Sequence, residues 1–285
     1  MELAEHAIGV ADWSLGCGSV EESAKAIRAL SLCHIHLGLG PLIAKGVTAV
    51  DDALKILEKY ELTPTAGMIG FAGEDYTTIA TIKQSGGLVP DALWEQRRSV
   101  LESAAKAAQR LNMAMVSTHV GFVPSSNEAR YPTMVARMQD AASLFQSHGL
   151  MLLLETGQEG ASELLQFLND IARANVGINM DPANMILYGA GNPVDALRVL
   201  GRHVKHVHIK DAMASQTPGV AWGTEVPFGE GQVNALAFVE SLRFGGYRGP
   251  LVIEREAGPK RMDDIRHAVA VLESILQPCP EADGE

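Results

Sequence analysis

Cysteine is scarce in this chain of 285 residues, which has three, Cys17, Cys33 and Cys279, widely spaced and without a CxxC pair. An odd, scattered set excludes a disulfide framework and a thiolate zinc site, and leaves the three as packing or surface residues. Basic charge is also short. The 23 Lys and Arg against 34 Asp and Glu give a net charge of −11, so the mean field repels polyphosphates and anionic lipid, and nucleic acid is not an expected partner. Long apolar runs are missing: stretches such as Gly149–Leu154 fall far short of the roughly 20 residues a membrane span needs. The segment Met1–Leu15 carries Glu2 and Glu5 and no basic stretch ahead of an apolar one, so no secretory leader and a cytoplasmic location are expected. No Pro/Ser/Gly-rich stretch or charge run divides the chain, which reads as one domain over 1–277 with a frayed tail at 278–285. A GxGxxG loop is absent as well, since Gly16 and Gly18 follow the first apolar run without the full pattern, which argues against a dinucleotide fold.

What remains is an ordinary globular composition, 47% hydrophobic and 20% charged, with strict alternation. Eight short β-type runs occur at Ala7–Ala11, Cys33–Gly38, Thr63–Ile69, Ala114–His119, Leu150–Glu155, Gly177–Asp181, Val204–Ile209 and Pro250–Glu254. Between them, apolar residues at i, i+3, i+4 spacing predict helices at Val47–Tyr60, Pro90–Leu111, Thr133–Ser147, Ala161–Ala174, Pro193–Leu200, Asn234–Phe244 and Met262–Leu276. Eight βα units in about 250 residues predict an α/β fold, a single-domain (β/α)8 TIM barrel. Two connections, Gly70–Val89 and Asp211–Gln232, are longer than a barrel requires. Both follow strands, on the face where barrel enzymes build sites and lids.

The chemistry concentrates at the ends of the last four strands: Glu155 in LLLETG, Asp181 in INMDPAN, His208 in HVHIKD and Glu254 in LVIERE. Four adjacent strands would set three carboxylates and one imidazole around one point, a group that repels itself unless a cation lies at its centre. Three oxygen donors and one nitrogen suit a single Mn²⁺, Mg²⁺, Co²⁺ or Zn²⁺. His206, His208 and Lys210 share one strand face. This places His206 one layer deeper as a core residue, and Lys210 one layer higher, to meet an oxyanion or pair with a loop carboxylate.

MDPANMILYG, HVKHVHIKDA, the GEG of 229–231 and IERE, together with THVGFVP and GMIGFAGEDY, resemble the xylose-isomerase-like TIM-barrel proteins. That group includes ketose 3-epimerases, inosose dehydratases, hydroxypyruvate isomerases and the endonuclease IV branch. The resemblance covers the whole chain and is most specific from Glu155 to Glu254. It implies that Glu155, Asp181, His208 and Glu254 hold one divalent metal and that the two glutamates act as an acid/base pair on opposite faces of the substrate. It further implies substrate contacts for His119. One departure is clear: many members have a histidine three residues after the strand-six aspartate, where this chain has Asn184. An amide cannot take a proton at neutral pH, so Asn184 is expected to orient a substrate hydroxyl. His36, Lys210 and Glu230 are further substrate-binding candidates, with Trp13, Phe71, Trp222 and Phe228 as an aromatic wall.

The function expected is therefore a metal-dependent isomerase or epimerase acting on a keto-sugar or polyol derivative through an enediolate. A lyase or dehydratase on a keto-inositol or 3-keto-glycoside shares every step up to that intermediate. A DNA-repair nuclease like endonuclease IV is a third reading, weakened by Asn184 and the net charge. No cluster of Arg or Lys marks the late loops as a phosphate site, so an unphosphorylated sugar is the expected partner, with a homo-oligomer compatible with the chain.

Overall fold

The computed structural model describes residues 2–3 and 6–277; the expected tail at 278–285, with Cys279, lies outside them. The eight runs form parallel strands: β1 (His6–Ala11), β2 (His34–Gly38), β3 (Thr63–Ile69), β4 (Met115–Thr118), β5 (Met151–Glu155), β6 (Val176–Met180), β7 (Val204–Ile209) and β8 (Leu251–Ile253). Each pairs with its neighbour in the sequence, and β8 pairs with β1, so the sheet closes into an eight-stranded parallel barrel. Barrel strands are covered by core inside and helices outside, which is why they read as continuous apolar runs rather than alternating ones. All five residues of β6 are buried. The helices bury one stripe each; Ala161–Ile171 buries Leu164, Phe167, Leu168 and Ile171 at helical spacing.

Elements that the spacing does not predict are short. Val20–Ala29, capped by Ser19, and Gly40–Lys45, Ile79–Ser85 and Pro182–Tyr188 are helices, and Asp211–Met213 pairs with Thr224–Val226 as a small antiparallel hairpin. The expected helix over Pro90–Leu111 begins with a 3-10 turn at Asp91–Leu93 before Trp94–Arg110. Among the described residues no helix is long and apolar enough to cross a membrane.

The two long connections are strapped down at the C-terminal face. Buried Arg97 donates to the carbonyls of Gly87 and Ser85. Arg137 donates to those of Leu88 and Val89, at 2.8 and 2.9 Å. Glu74 closes the same segment, accepting from Phe71 N and Gly87 N. Gly87 has φ +57°, and a Cβ there would lie 1.9 Å from the Val120 carbonyl carbon, so only glycine lets this segment dock on the β4 loop. The second connection is gathered by Asp211, whose carboxylate accepts from the backbone of Gly229, Gly231 and Val233 at 3.0 Å each.

Candidate metal centre

Glu155 ends β5, Asp181 follows β6, His208 is the penultimate residue of β7 and Glu254 follows β8. Barrel closure brings one donor atom from each within 4.8 Å of the others. All four are buried, Asp181 and His208 completely. His208 Nδ1 lies 3.4 Å from Glu155 Oε1, 3.4 Å from Asp181 Oδ2 and 3.1 Å from Glu254 Oε2. Yet Nδ1, Asp181 Oδ2 and Glu155 Oε2 have no hydrogen-bond partner. Buried polar atoms are otherwise almost always satisfied. Two of these orphans, His208 Nδ1 and Asp181 Oδ2, face each other and the third belongs to Glu155 beside them; a set of three carboxylates and an imidazole so gathered fits a divalent cation held by oxygen and nitrogen donors.

The electrostatics agree. Burial pushes Asp181 up to about 6, partly offset by Lys210 and His208. Burial also opposes ionisation of Glu254, but His208 and Lys210 outweigh it and hold that carboxyl well below the usual range. Glu155 is lowered in the same way by His119 and His208 against its burial. His208 is disfavoured as a cation by burial, yet Glu254 and Glu155 hold it well above the ordinary histidine value. This surplus of negative charge is what a cation would neutralise.

Behind the cluster the chain builds a neutral support. His208 Nε2 lies 3.0 Å from His36 Nδ1, and His36 Nε2 lies 3.1 Å from Ser117 Oγ. Burial, then His208, drives His36 down to about 3, so it is neutral. Neutral His36 can accept a proton held on His208 Nε2, so that a cation at the centre would displace only the Nδ1 proton and take up that lone pair. His206 is a bonded core residue, 2.8 Å from Asn179 Oδ1 and 3.0 Å from Thr65 Oγ1.

Above the cluster opens a cavity of about 680 Å³ whose walls include Trp13, Tyr76, His119, Asn184, Lys210, Glu225 and Glu256. His119 sits 3.6 Å from Glu155 Oε1, its Nδ1 buried without a partner. Asn184 donates from its amide to Glu155 Oε1 at 3.2 Å, and its Oδ1 is 3.5 Å from Lys210 Nζ. The backbone N–H of Asn184 is bonded to Asp181 Oδ1, so it is Asp181 that caps the helix Pro182–Tyr188 and frees the Asn184 side chain for the cavity. Lys210 pairs with Glu254 at 2.9 Å and with the loop carboxylate Glu256 at 2.6 Å. Gly157 lets this helix approach closely, since a Cβ there would come 3.0 Å from Asn184 Cβ and 3.1 Å from the Tyr188 ring.

Three expectations need correction. His36 is fully buried beneath His208 rather than on the cavity wall, because its strand face points into the barrel one layer below the mouth. Glu230 is exposed and off the cavity; Asp211 holds that turn through backbone N–H groups, leaving the Glu230 side chain to solvent. Phe71 and Phe228 are packed in the core, whereas Trp13 and Trp222 do line the cavity, Trp13 donating its indole N–H to Glu254 Oε1 at 2.7 Å. Tyr76, Tyr188, Glu225 and Glu256 were not anticipated. Glu256 stands two residues beyond Glu254 and Tyr188 four beyond Asn184, spacings that already put each pair on one side of the chain.

Residues 40–275 match the model of the xylose isomerase-like TIM barrel family. A crystal structure of a xylose isomerase domain protein from Planctomyces limnophilus is 34% identical, with TM-score 0.85 over 88% of this chain and 91% of that one. A protein of Methanocaldococcus jannaschii is 26% identical over 191 residues, 62% of this chain; the match spans only 61% of that relative's own length. The fold alone is shared with the probable 3-DHS dehydratase AsbF from Bacillus anthracis, at 19% identity and TM-score 0.71 over 93% and 98% of the two chains. It is shared likewise with a D-psicose 3-epimerase solved in the presence of D-fructose, at 14% identity and TM-score 0.71 over 94% and 99%.

Proposed function

The chain belongs to the xylose isomerase-like TIM-barrel family, and on that premise we propose that it is a divalent-metal-dependent isomerase or epimerase of an unphosphorylated keto-sugar or related polyol. The observation that carries the reading is the gathering of Glu155, Asp181, His208 and Glu254, the first three with buried unpartnered atoms, around one point below an open cavity. These four residues would hold one Mg²⁺, Mn²⁺, Co²⁺ or Zn²⁺. Bound there, the ion would polarise a substrate carbonyl and acidify the neighbouring C–H.

The proton chemistry belongs to the two glutamates. One carboxylate, Glu155 or Glu254, takes the α proton; the C–H electron pair moves into the carbon–carbon bond and the carbonyl oxygen becomes the second enediolate oxygen. The other glutamate has to enter the step as its neutral acid; it gives its proton to the opposite face and inverts that carbon, so the pair ends with its two protonation states exchanged. Trp13 and Lys210 fix Glu254 through its two oxygens, and Asn184 and His119 approach Glu155 from the cavity side. Glu225, Glu254 and Glu256 outnumber the single cation Lys210 on the late-strand wall, which supports a neutral substrate over a phosphorylated one.

Incubating the metal-loaded protein with a panel of unphosphorylated ketoses in D₂O tests the reading. Deuterium incorporated at the carbon beside the carbonyl, with inversion, is the expected result. An enone product instead would assign the dehydratase chemistry that shares this enediolate, and no exchange with any ketose would overturn the proposal.

A further inference from the structure

A second cavity, of about 460 Å³, opens on the same barrel face, and one side chain, Tyr188, lines both it and the metal cavity. The Tyr188 ring meets at steep angles both Trp222, 4.7 Å away and on the wall of the metal cavity, and Phe122, 5.7 Å away and on the wall of the second. It is thus a one-residue partition. The second cavity lies between the segments that follow β4 and β5, and nothing in the chemistry proposed above uses it.

Its lining is mixed in a specific way. Phe122, Tyr131 and Tyr188 supply aromatic surface, while Gln158, Glu159 and Lys83 supply polar groups. The Gln158 side-chain oxygen is buried and has no partner. Glu159 is more than nine-tenths buried and uses one oxygen to accept from Val123 N at 2.9 Å. Burial pushes its carboxyl up to about 7, and Glu163, the other carboxylate on the wall, offsets the charge of Lys83, so the cavity gathers no large surplus of fixed charge of either sign. Flat apolar faces beside uncharged or half-charged hydrogen-bonding groups suit a ring with C–H on one face and hydroxyls at its edge. A phosphate or carboxylate would find only Lys83, which already lies over the Phe122 ring at 5.7 Å.

We infer that this second cavity is a subsite for a neutral, hydroxylated ring carried by the substrate, so that the preferred substrate is a disaccharide or glycoside whose keto-sugar lies at the metal cavity and whose second ring lies beyond Tyr188. The inference rests on the keto-sugar reading of the metal cavity. It assigns to Phe122 and Gln158 the recognition of the second ring and to Tyr188 the wall against which both rings stack.

Calorimetric titration of the Mn²⁺-saturated protein with D-fructose and with isomaltulose, a fructose that keeps its carbonyl and carries glucose as a substituent, tests it. Isomaltulose is expected to bind at least tenfold more tightly than fructose, and Gln158→Ala and Phe122→Ala to bring that ratio towards one. Thermal denaturation confirms that each variant is folded, and the wild-type ratio stands as a test whether or not they are. Fructose binding with no gain for isomaltulose would overturn the subsite and leave the metal reading intact. Binding of neither sugar would overturn both.

Discussion

The two halves of the barrel contribute to the centre in opposite currencies. Strands β5 to β8 supply every charged donor, whereas β2, β3 and β4 supply neutral hydrogen-bonding groups beneath it: His36, Thr65 and Ser117. The late half carries four ionisable groups at fully buried positions, which alone would be prohibitive. The early half adds no charge and instead sets a neutral imidazole, His36, against His208 Nε2. A site of this kind therefore needs both an arc that concentrates charge and an arc that orients it without adding more.

The contrast is broken most severely on the charged side. Glu155→Gln and Glu254→Gln should each lower kcat and kcat/KM together by about 10³-fold or more, as for groups acting in the transition state. Because both are candidate ligands, elemental analysis must accompany the kinetics; a variant with full metal and full kcat would remove that glutamate from the mechanism. His208→Ala should lose most of the bound metal, and stoichiometric metal in that variant would count against the four-residue centre.

On the neutral side the effect should be smaller and graded. His36→Ala, which frees His208 to turn or to move its proton, should weaken metal binding by about 10- to 100-fold, read by calorimetry, while His36→Gln, which keeps an acceptor, should recover part of it. An unchanged metal affinity in His36→Ala would dissolve the distinction between the two arcs.

Asn184 lies within the late half and links two of its groups, Glu155 and Lys210. Asn184→Ala should retain the metal and raise KM or alter substrate preference, at a cost of about 1–3 kcal/mol for a buried hydrogen bond. A second metal in a crystal structure, or a loss of thermal stability with KM unchanged, would contradict the substrate-orienting role.

The smallest effect is expected away from the centre. Glu159 titrates at about 7 in the folded protein because it is buried, well above an unfolded glutamate near 4.3. A raised carboxyl stabilises the fold fully below the unfolded value and loses that contribution as pH rises through 7, since the folded state holds the proton longer. Glu159→Gln keeps an acceptor for Val123 N, so it should flatten the fall in stability between about pH 4 and 7 and gain on the order of 1–2 kcal/mol at pH 8. Chemical denaturation across that range would show it; parallel curves for both proteins would refute it.

Much of this was readable in the amino-acid order. Barrel strands are apolar on both sides, so each run stands out and the first carboxylate at or just past its end marks the mouth; Glu155, Asp181 and Glu254 are legible for that reason. The hairpin Asp211–Met213 with Thr224–Val226 was not, because Glu225 holds it through Arg255 and the backbone of Glu256 and Ala257, some 30 residues away. Glu230, flanked by glycines, looked like a lid residue. Its turn is instead built by backbone donors converging on Asp211, which leave no pattern in side-chain type. The depth of His36 depends on strand stagger around the barrel, including a register shift between Ile35 and His36, and stagger is not written in any one strand.

The helix Pro182–Tyr188 begins at Asp181 and ends at the tyrosine that separates the two cavities. It acts as a spacer about 10 Å long at 1.5 Å per residue, tying the position of one donor to the position of a recognition wall. Change in the reach of the site is accordingly correlated change. A mutation at Gly157 that tilts the helix would disturb the metal and the partition together, whereas replacing Tyr188 alone would alter the partition and spare the donor. Variation that broadens substrate length should therefore enter through side chains at the far end of the spacer, and the spacer's length itself should be the least negotiable dimension of the site.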